Sequence, residues 1–508
     1  MIKFLKLRNK FIVLPLFFQV FAIACALMLV LSTYGFFIES FREARVFLYT
    51  GLSGFLIFSL INLATSNRNL KESGVIQLIS LLLLFLMLPI FLAFPNWIIL
   101  PNISFLDTYL DMVGAFTTTG LPVFENDLLS RPIHLWRALV AWFGGCLIWI
   151  AAFVILLPAS IGEGDMFSKK SIDSNFKRKL TLNERSMTIT KVSKKLVPIY
   201  VGFTVILWCS LTSLGTDGYT SLIRAFSILS TSGIPGPKNF GSDGAGFFGE
   251  LLMVIFLCLA LSHKLFYSLN KKTNFKKILV DDEIRLGLLT VICITLLLSF
   301  KEMSSVTQFF NLDLSFLNEL KVIWGNFFTT FSFMTTNGYI SSYWGGASSS
   351  EDMSHITIIL LGLCLFGGGL ATTAGGVKLL RISILISAFS NETGKLLHPS
   401  SIVGTNTNFK SLEVSVFMAW VFFMLFIVSL ASVTIILAMF GMQFEDAVVL
   451  AVACLSTTGP VVDLIGMETW SISELSYLSK LTLVLSMVLG RLEILVALSV
   501  ITFALRRA

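Results

Sequence analysis

The chain is 508 residues long, 55% hydrophobic and only 13% charged, with a mean hydropathy of +0.84. A soluble protein carries roughly 25% charged residues, so these values exclude that class and point to an all-α polytopic membrane protein. The formal charge of +7 fits an anionic partner in principle, but the basic residues fall where topology needs them.

The first apolar run, 11–31, follows Lys3, Lys6, Arg8 and Lys10. It is longer than the roughly 7–15-residue core of a secretory signal and reads as an uncleaved helix, with a cleaved signal as the alternative because small residues surround Cys25. A second helix, 45–64, ends at a polar turn holding Arg68 and Lys71. Four units of the same kind then follow, each a spanning helix (M1), a short apolar pore segment with a polar loop, and a second spanning helix (M2). The predicted M1 and M2 spans are 75–94 and 135–157, 196–214 and 247–269, 284–300 and 356–389, and 412–440 and 478–505. The pore segments fall at 105–116, 219–229, 322–334 and 446–455. The second is the least regular, because Asp217-Gly218-Tyr219 before it and Ile234-Pro235-Gly236-Pro237 after it look turn-rich. The organisation is therefore 1–72 (two N-terminal helices), 73–165, 166–283, 284–395 and 396–508 (the four repeats), with ten spanning helices and four re-entrant segments.

The basic residues orient these spans. Lys169, Lys170, Lys177, Arg178, Lys179, Arg185, Lys191, Lys194 and Lys195 fill the loop between the first two repeats. Lys271, Lys272, Lys276 and Lys277 fill the next, Lys395 and Lys410 the third, and Arg506 and Arg507 end the chain. With both termini cytoplasmic, every cluster lies inside, as the positive-inside rule requires, and every pore loop enters from outside. A nucleic-acid patch is the rival reading of the Lys-rich loop, but topology already accounts for it, and no nucleic-acid partner is expected.

The polar loops carry the chemistry. Thr117-Thr118-Thr119-Gly120, Ser230-Thr231-Ser232-Gly233, Thr335-Thr336-Asn337-Gly338 and Ser456-Thr457-Thr458-Gly459 recur at near-even intervals. Non-helical backbone at membrane depth is tolerated only where protein buries it or it lines a water-filled cavity. Glycine permits backbone angles that aim carbonyls inward, hydroxyls add neutral oxygens, and a ring of such oxygens replaces the hydration shell of a monovalent cation. Divalent ions call for carboxylates, and the tetrapeptides contain none. The candidate ion-binding residues are thus Thr118, Thr119, Gly120, Thr231, Ser232, Gly233, Thr336, Asn337, Gly338, Thr457, Thr458 and Gly459. A single tetrapeptide of this kind is usually a cap or loop; four in corresponding places are specific.

Inside the third M2, Gly367-Gly368-Gly369-Leu370-Ala371-Thr372-Thr373-Ala374-Gly375-Gly376 precedes Lys378 and Arg381. Five glycines in ten residues break a helix, at roughly 1 kcal/mol each against Ala. The run reads as a flexible gate below the loops, with Lys378 as a positive element on the cytoplasmic side of the pore; a kink packed against a neighbour is the alternative. In the last helix, Gly490-Arg491-Leu492-Glu493 places an ionisable residue within a span, a functional candidate by default. Two readings stand for Arg491: a barrier in the ion path, or a structural partner of Glu493 or a pore-lining carbonyl. Trp142, Trp149 and Trp208 read as packing or interface anchors. The seven cysteines (Cys25, Cys146, Cys209, Cys258, Cys293, Cys364, Cys454) read as small apolar fillers, and the histidines (His134, His263, His355, His398) as solvated or interfacial.

Together, Phe116–Leu121 (FTTTGL), Trp136-Arg137, Trp142-Phe143-Gly144-Gly145, Thr335–Tyr339 (TTNGY), Gly367–Lys378 (GGGLATTAGGVK), Leu455–Pro460 (LSTTGP) and Gly490–Ile494 (GRLEI) resemble the TrkH branch of the Trk/Ktr/HKT potassium-transporter superfamily. The likeness covers nearly the whole chain, with STSGI of the second loop as its loosest match. It implies four M1–pore–M2 units in one subunit, a homodimer in the bacterial inner membrane, and K⁺ as the transported ion in each protomer, with no organic cofactor on this chain. It maps the filter glycines to Gly120, Gly233, Gly338 and Gly459, all present, whereas a serine in the first loop goes with Na⁺ permeation. It also maps an intramembrane gating loop to Gly367–Gly376, including Gly368, Gly369, Thr372, Thr373 and Gly375, and basic pore residues to Lys378 and Arg491. A cytosolic nucleotide-binding regulatory subunit of the TrkA type is implied as partner, docking on the basic loops; the long Lys-rich 159–195 segment is a departure. A Na⁺-permeable or poorly selective member of the same superfamily is the alternative, and the sequence leaves open passive flux or symport. A voltage-gated channel would need Arg or Lys at every third position of a helix, an organic-solute transporter usually has inverted repeats, and an enzyme would need a convergent acid, base or nucleophile cluster. None of these is found.

Overall fold

The computed structural model describes residues 16–65, 74–125, 129–152, 182–236, 246–262, 281–309, 316–344, 350–370, 372–397, 409–465 and 472–492. The predicted basic clusters Lys169–Lys179 and Lys271–Lys277, Arg506, Arg507, Glu493, His263 and His398 lie outside them. No strand occurs among the described residues. The helices are α1 (Leu16–Phe37), α2 (Phe41–Thr65), α3 (Gly74–Ile99), α4 (Phe105–Phe116), α5 (Arg131–Ala151), α6 (Leu182–Ser213), α7 (Gly218–Ser230), α8 (Gly246–Leu257), α9 (Asp282–Phe309), α10 (Phe316–Met334), α11 (Ser350–Phe366), α12 (Leu379–Leu397), α13 (Phe409–Met439), α14 (Phe444–Ser456) and α15 (Tyr477–Leu492).

Seven of these, α1, α2, α3, α5, α6, α9 and α13, contain stretches long and apolar enough to cross a membrane. Their outward faces are those of helices solvated by lipid: Leu63 is 71% exposed and Phe300 77%. The 31 residues of α13 extend about 46 Å, well beyond the ~30 Å hydrocarbon layer. By contrast, α4, α7 and α14 have 12, 13 and 13 residues and reach only about 18–20 Å. They cannot span, and they are buried at the centre.

Helix packing repeats with the chain. Each M1 lies against its own pore helix: α3 on α4, α6 on α7, α9 on α10, α13 on α14. Each M2 then packs on the pore helix of the next unit: α5 on α7, α8 on α10, α11 on α14 and α15 back on α4. That last contact closes a ring of four in pseudo-fourfold arrangement. The two N-terminal helices pair with each other and flank the first unit, α1 and α2 against α3 and α1 against α5.

Several boundaries differ from the sequence reading. M1 of the second repeat begins at Leu182, so Arg185, Lys191, Lys194 and Lys195 belong to a helix rather than a loop. Lys395 and Lys410 likewise lie within α12 and α13. Long basic side chains reach water from a helix end while the helix continues inward, so a charge cluster does not mark where a helix stops. Asp217 is not part of a turn but the N-cap residue of α7, which starts at Gly218. His134, expected near water, is wholly buried in α5. Of the cysteines, Cys25, Cys146, Cys364 and Cys454 are buried, Cys209 and Cys293 are exposed, Cys258 is intermediate, and all are free thiols.

Candidate functional site

Each pore helix ends in one of the four tetrapeptides, and each ends alike. The second residue is left-handed in every case: Thr118 (φ 58°), Thr231 (φ 52°), Thr336 (φ 57°) and Thr457 (φ 57°). A left-handed conformation costs an L-residue about 1–2 kcal/mol, and a β-branched residue is a genuine outlier there. The same strain at four corresponding positions is a mark of function. The turn ties the loop N–H groups back to the helix: Thr119 and Gly120 donate to Gly114 O (2.8 and 3.0 Å), Ser232 to Ser227 O (3.0 Å), Asn337 to Ser332 O (2.9 Å) and Thr458 to Ala453 O (2.8 Å). Most of the loop N–H donors are thereby engaged. The carbonyls of Thr118, Ser232, Asn337 and Thr457 accept no hydrogen bond among the described residues.

The loops meet. A Cβ built on Gly120 would lie 1.8 Å from the Ser232 carbonyl oxygen, one on Gly233 2.0 Å from Asn337 O, one on Gly338 2.9 Å from Pro460 Cβ, and one on Gly459 2.5 Å from Leu121 N. Loop one thus abuts two, two abuts three, three abuts four, and four returns to one. The backbone N–H of Gly459 closes the ring by donating to Thr119 O at 2.6 Å, and Tyr339 Oη joins loops two and three by donating to Ile234 O at 2.9 Å. All twelve predicted ion-binding residues therefore lie in one ring. Within it, Thr118 Oγ1, Thr457 Oγ1 and both amide atoms of Asn337 are buried with no partner among the described residues. Buried polar atoms without partners call for water or an ion.

Directly against this ring lies the Gly-rich segment between α11 and α12. Gly375 N–H donates to Thr336 Oγ1 at 2.9 Å, and a Cβ on Gly375 would lie 2.1 Å from Ser456 O, so the segment touches loops three and four. It is tethered elsewhere too: Gly369 N–H donates to Ala260 O of the second repeat (3.0 Å), and Leu370 N–H to Glu283 Oε1 of α9 (3.1 Å). Thr372 Oγ1 bonds Gly369 O within the segment (2.8 Å). The backbones of Gly367 and Gly376 pass so close that a Cβ on Gly367 would lie 2.8 Å from Gly376 Cα; this is where Gly367 and Gly368 fold back on Gly375 and Gly376. Arg491, 5% exposed on α15, donates from Nη1 to Thr373 O at 2.6 Å. Of the two readings of Arg491, the geometry supplies a carbonyl partner on the candidate gate. Lys378 turns its Nζ onto Ala374 O of its own loop, and Arg381 lies over the Phe422 ring at 3.9 Å.

Sequence reasoning missed the ion pairs behind the first loop. Asp107 and Asp111, one turn apart on α4, face Lys480 of α15 and Arg137 of α5 at 2.5 and 2.8 Å. It also missed Glu250 on α8, whose carboxylate accepts from Trp324, Ser341 and Ser342. Charged residues inside apolar helices were the available signal, but their partners lie in other helices. Beyond the fourth loop, Asp463 reaches the surface while protein crowds it on its other sides. Burial pushes its carboxyl up to about 6, against the opposing pull of Arg137. Among the described residues no cluster of His, Cys, Asp or Glu is arranged to hold a metal ion.

Fold and site define a polytopic helical membrane protein whose four M1–pore–M2 repeats surround a ring of neutral oxygens. The sequence profile of the TrkH family, described as a cation transport protein, matches residues 246–506. The chain belongs to the TrkH family, a family of transporters. It is 25% identical over 410 residues to the Trk system potassium uptake protein TrkH of Escherichia coli K12, covering 79% of each chain. To the Trk system potassium uptake protein TrkG of the same organism it is 24% identical over 404 residues, covering 77% of each. To TrkI of Halomonas elongata it is 25% identical over 415 residues, covering 79% of this chain and 78% of the other. In fold it is similar to the crystal structure of the potassium transporter TrkH from Vibrio parahaemolyticus, with a TM-score of 0.77, 21% identity, and coverage of 96% of this chain and 97% of that one.

Proposed function

We propose that the chain takes up K⁺ across the bacterial cytoplasmic membrane through the ring formed by the four tetrapeptides. The observation that carries this reading is the closed ring of loops whose carbonyls and hydroxyls stay unpartnered at Thr118, Asn337 and Thr457. Uncharged oxygens bind a weakly hydrated alkali ion well enough to dehydrate it and weakly enough to release it. The four pore helices end at the ring, so the negative ends of their dipoles face the ion. The names of the relatives, potassium uptake proteins, support the choice of K⁺ over other monovalent cations. The segment 367–376 acts as the gate beneath the filter, held by Arg491 through Thr373. The assembly is a homodimer with both termini in the cytoplasm, regulated by a cytosolic nucleotide-binding subunit of the TrkA type.

Rescue of a bacterium lacking its own K⁺ uptake, together with rubidium uptake into proteoliposomes, tests the proposal. Growth on low K⁺ and tracer accumulation are expected; failure of both overturns it.

A further inference from the structure

Glu250 belongs to none of the recurring motifs. It lies on α8 and is only 2% exposed, yet both carboxylate oxygens are occupied. The Ser341 hydroxyl donates to Oε1 and Oε2 at 2.8 Å, Ser342 donates to Oε1 from its N–H at 2.9 Å and its hydroxyl at 3.0 Å, and the Trp324 indole N–H donates to Oε2 at 2.8 Å. Among the described residues no basic side chain pairs with it. Burying a carboxylate without a counter-ion is costly even when hydrogen bonds are made, and a neutral acceptor would engage the same donors at lower cost. The charge therefore needs an account beyond bracing.

Position supplies one. Ser341 follows the filter residue Gly338 by three positions, and extended chain spans at most about 3.6 Å per residue, which keeps the carboxylate within roughly 15 Å of the third filter loop. Ser342, one of its donors, is exposed, so the charge sits one residue beneath the surface, on the chain that leaves the third loop. The filter itself carries no net charge, and low-dielectric walls focus a nearby fixed charge into such a mouth.

We propose that Glu250 is a fixed negative charge of the outer mouth that concentrates cations at the filter entrance. It rests on reading the ring as the K⁺ path, and makes Glu250 a residue that sets apparent ion affinity rather than selectivity. The test measures concentration-dependent K⁺ uptake by the full chain in proteoliposomes, comparing the unaltered protein with Glu250→Gln and Glu250→Asp. Glu250→Gln is expected to raise the half-saturating K⁺ concentration about 3–10-fold, with the maximal rate and the K⁺/Na⁺ permeability ratio little changed. The difference shrinks as impermeant salt shortens the Debye length from about 8 Å toward 3 Å, and Glu250→Asp, which keeps the charge, stays within about twofold of the unaltered protein. Ser342→Lys, which sets a cation against the carboxylate at an exposed position, gives the same rise while keeping the Ser341, Trp324 and main-chain Ser342 donors and losing only the Ser342 hydroxyl bond at 3.0 Å, and it serves if Glu250→Gln does not fold. Half-saturation unchanged in Glu250→Gln or in Ser342→Lys overturns the proposal, as does a loss of rate and selectivity common to both Glu250 variants and insensitive to salt. An unaltered protein that passes no K⁺ overturns the potassium reading instead.

Discussion

The backbone N–H of Gly459 donates to the Thr119 carbonyl at 2.6 Å, joining the first and last loops of the ring. The two glycines that flank this bond are required for different reasons. Gly120 has φ 65°, as Gly233 (63°) and Gly338 (78°) are also left-handed, whereas Gly459 is absent from the positive-φ residues and opens a 3-10 turn. Gly120→Ser therefore meets two penalties, a left-handed backbone and a Cβ 1.8 Å from Ser232 O; Gly459→Ser meets only close approach, 2.5 Å from Leu121 N. Both are expected to lower K⁺ over Na⁺ discrimination, Gly120→Ser the more severely. Reversal potentials in mixed K⁺ and Na⁺ measure the order; equal effects would remove the distinction.

Arg491 holds the Gly-rich segment through the Thr373 carbonyl at 2.6 Å. A hydrogen bond from a charged donor contributes about 1.5–3 kcal/mol, so Arg491→Ala should move the balance toward an open segment by about one to two decades. Tracer uptake is expected to rise while the K⁺/Na⁺ ratio stays put. Flux equal to that of the unaltered protein would take Arg491 out of gating.

The Asp111–Arg137 pair is buried, its side chains 1% and 3% exposed. Arg137→Met strands a carboxylate and should cost about 3–5 kcal/mol, whereas Asp111→Leu combined with Arg137→Met should be close to neutral. Thermal unfolding of the detergent-solubilised protein reads both. A single variant as stable as the double would show that the pair contributes nothing.

Asp463 is an acid whose value is raised to about 6, so it is mostly charged at pH 7 and mostly neutral at pH 5. Arg137, itself paired with Asp111, is the charged group that acts on it. Lowering the pH through this range on the face where the fourth loop exits removes a negative charge there, and on the K⁺ reading proposed above the half-saturating K⁺ concentration should rise severalfold. Asp463→Asn should start at the higher value and lose that pH dependence. A pH profile shared by the variant and the unaltered protein would assign the titration to another group.

Much of the architecture was legible because hydropathy and repetition are local properties. The apolar runs gave the helical membrane class, and the pore helix 105–116 has the same bounds in sequence and structure; in the structure its start is fixed by the Ser104 hydroxyl, which accepts from the Asp107 N–H. Elsewhere local signals misled: Asp217-Gly218 looks like a turn but stands where a helix begins, and the lysines before 196 look like a loop and extend a helix.

The sequence by itself determined how many units there are, which residues sit at the end of each pore helix, and that no carboxylate stands among them. Only the tertiary structure decided that the loops close on one another, that Gly375 bonds Thr336, that Arg491 grips Thr373, and that Glu250 is caged beside the third exit. The reason is that burial and partner choice are set by contacts between different repeats. A buried donor or acceptor must find its partner wherever packing places it, and nothing in the spacing of a chain records which distant carbonyl that will be.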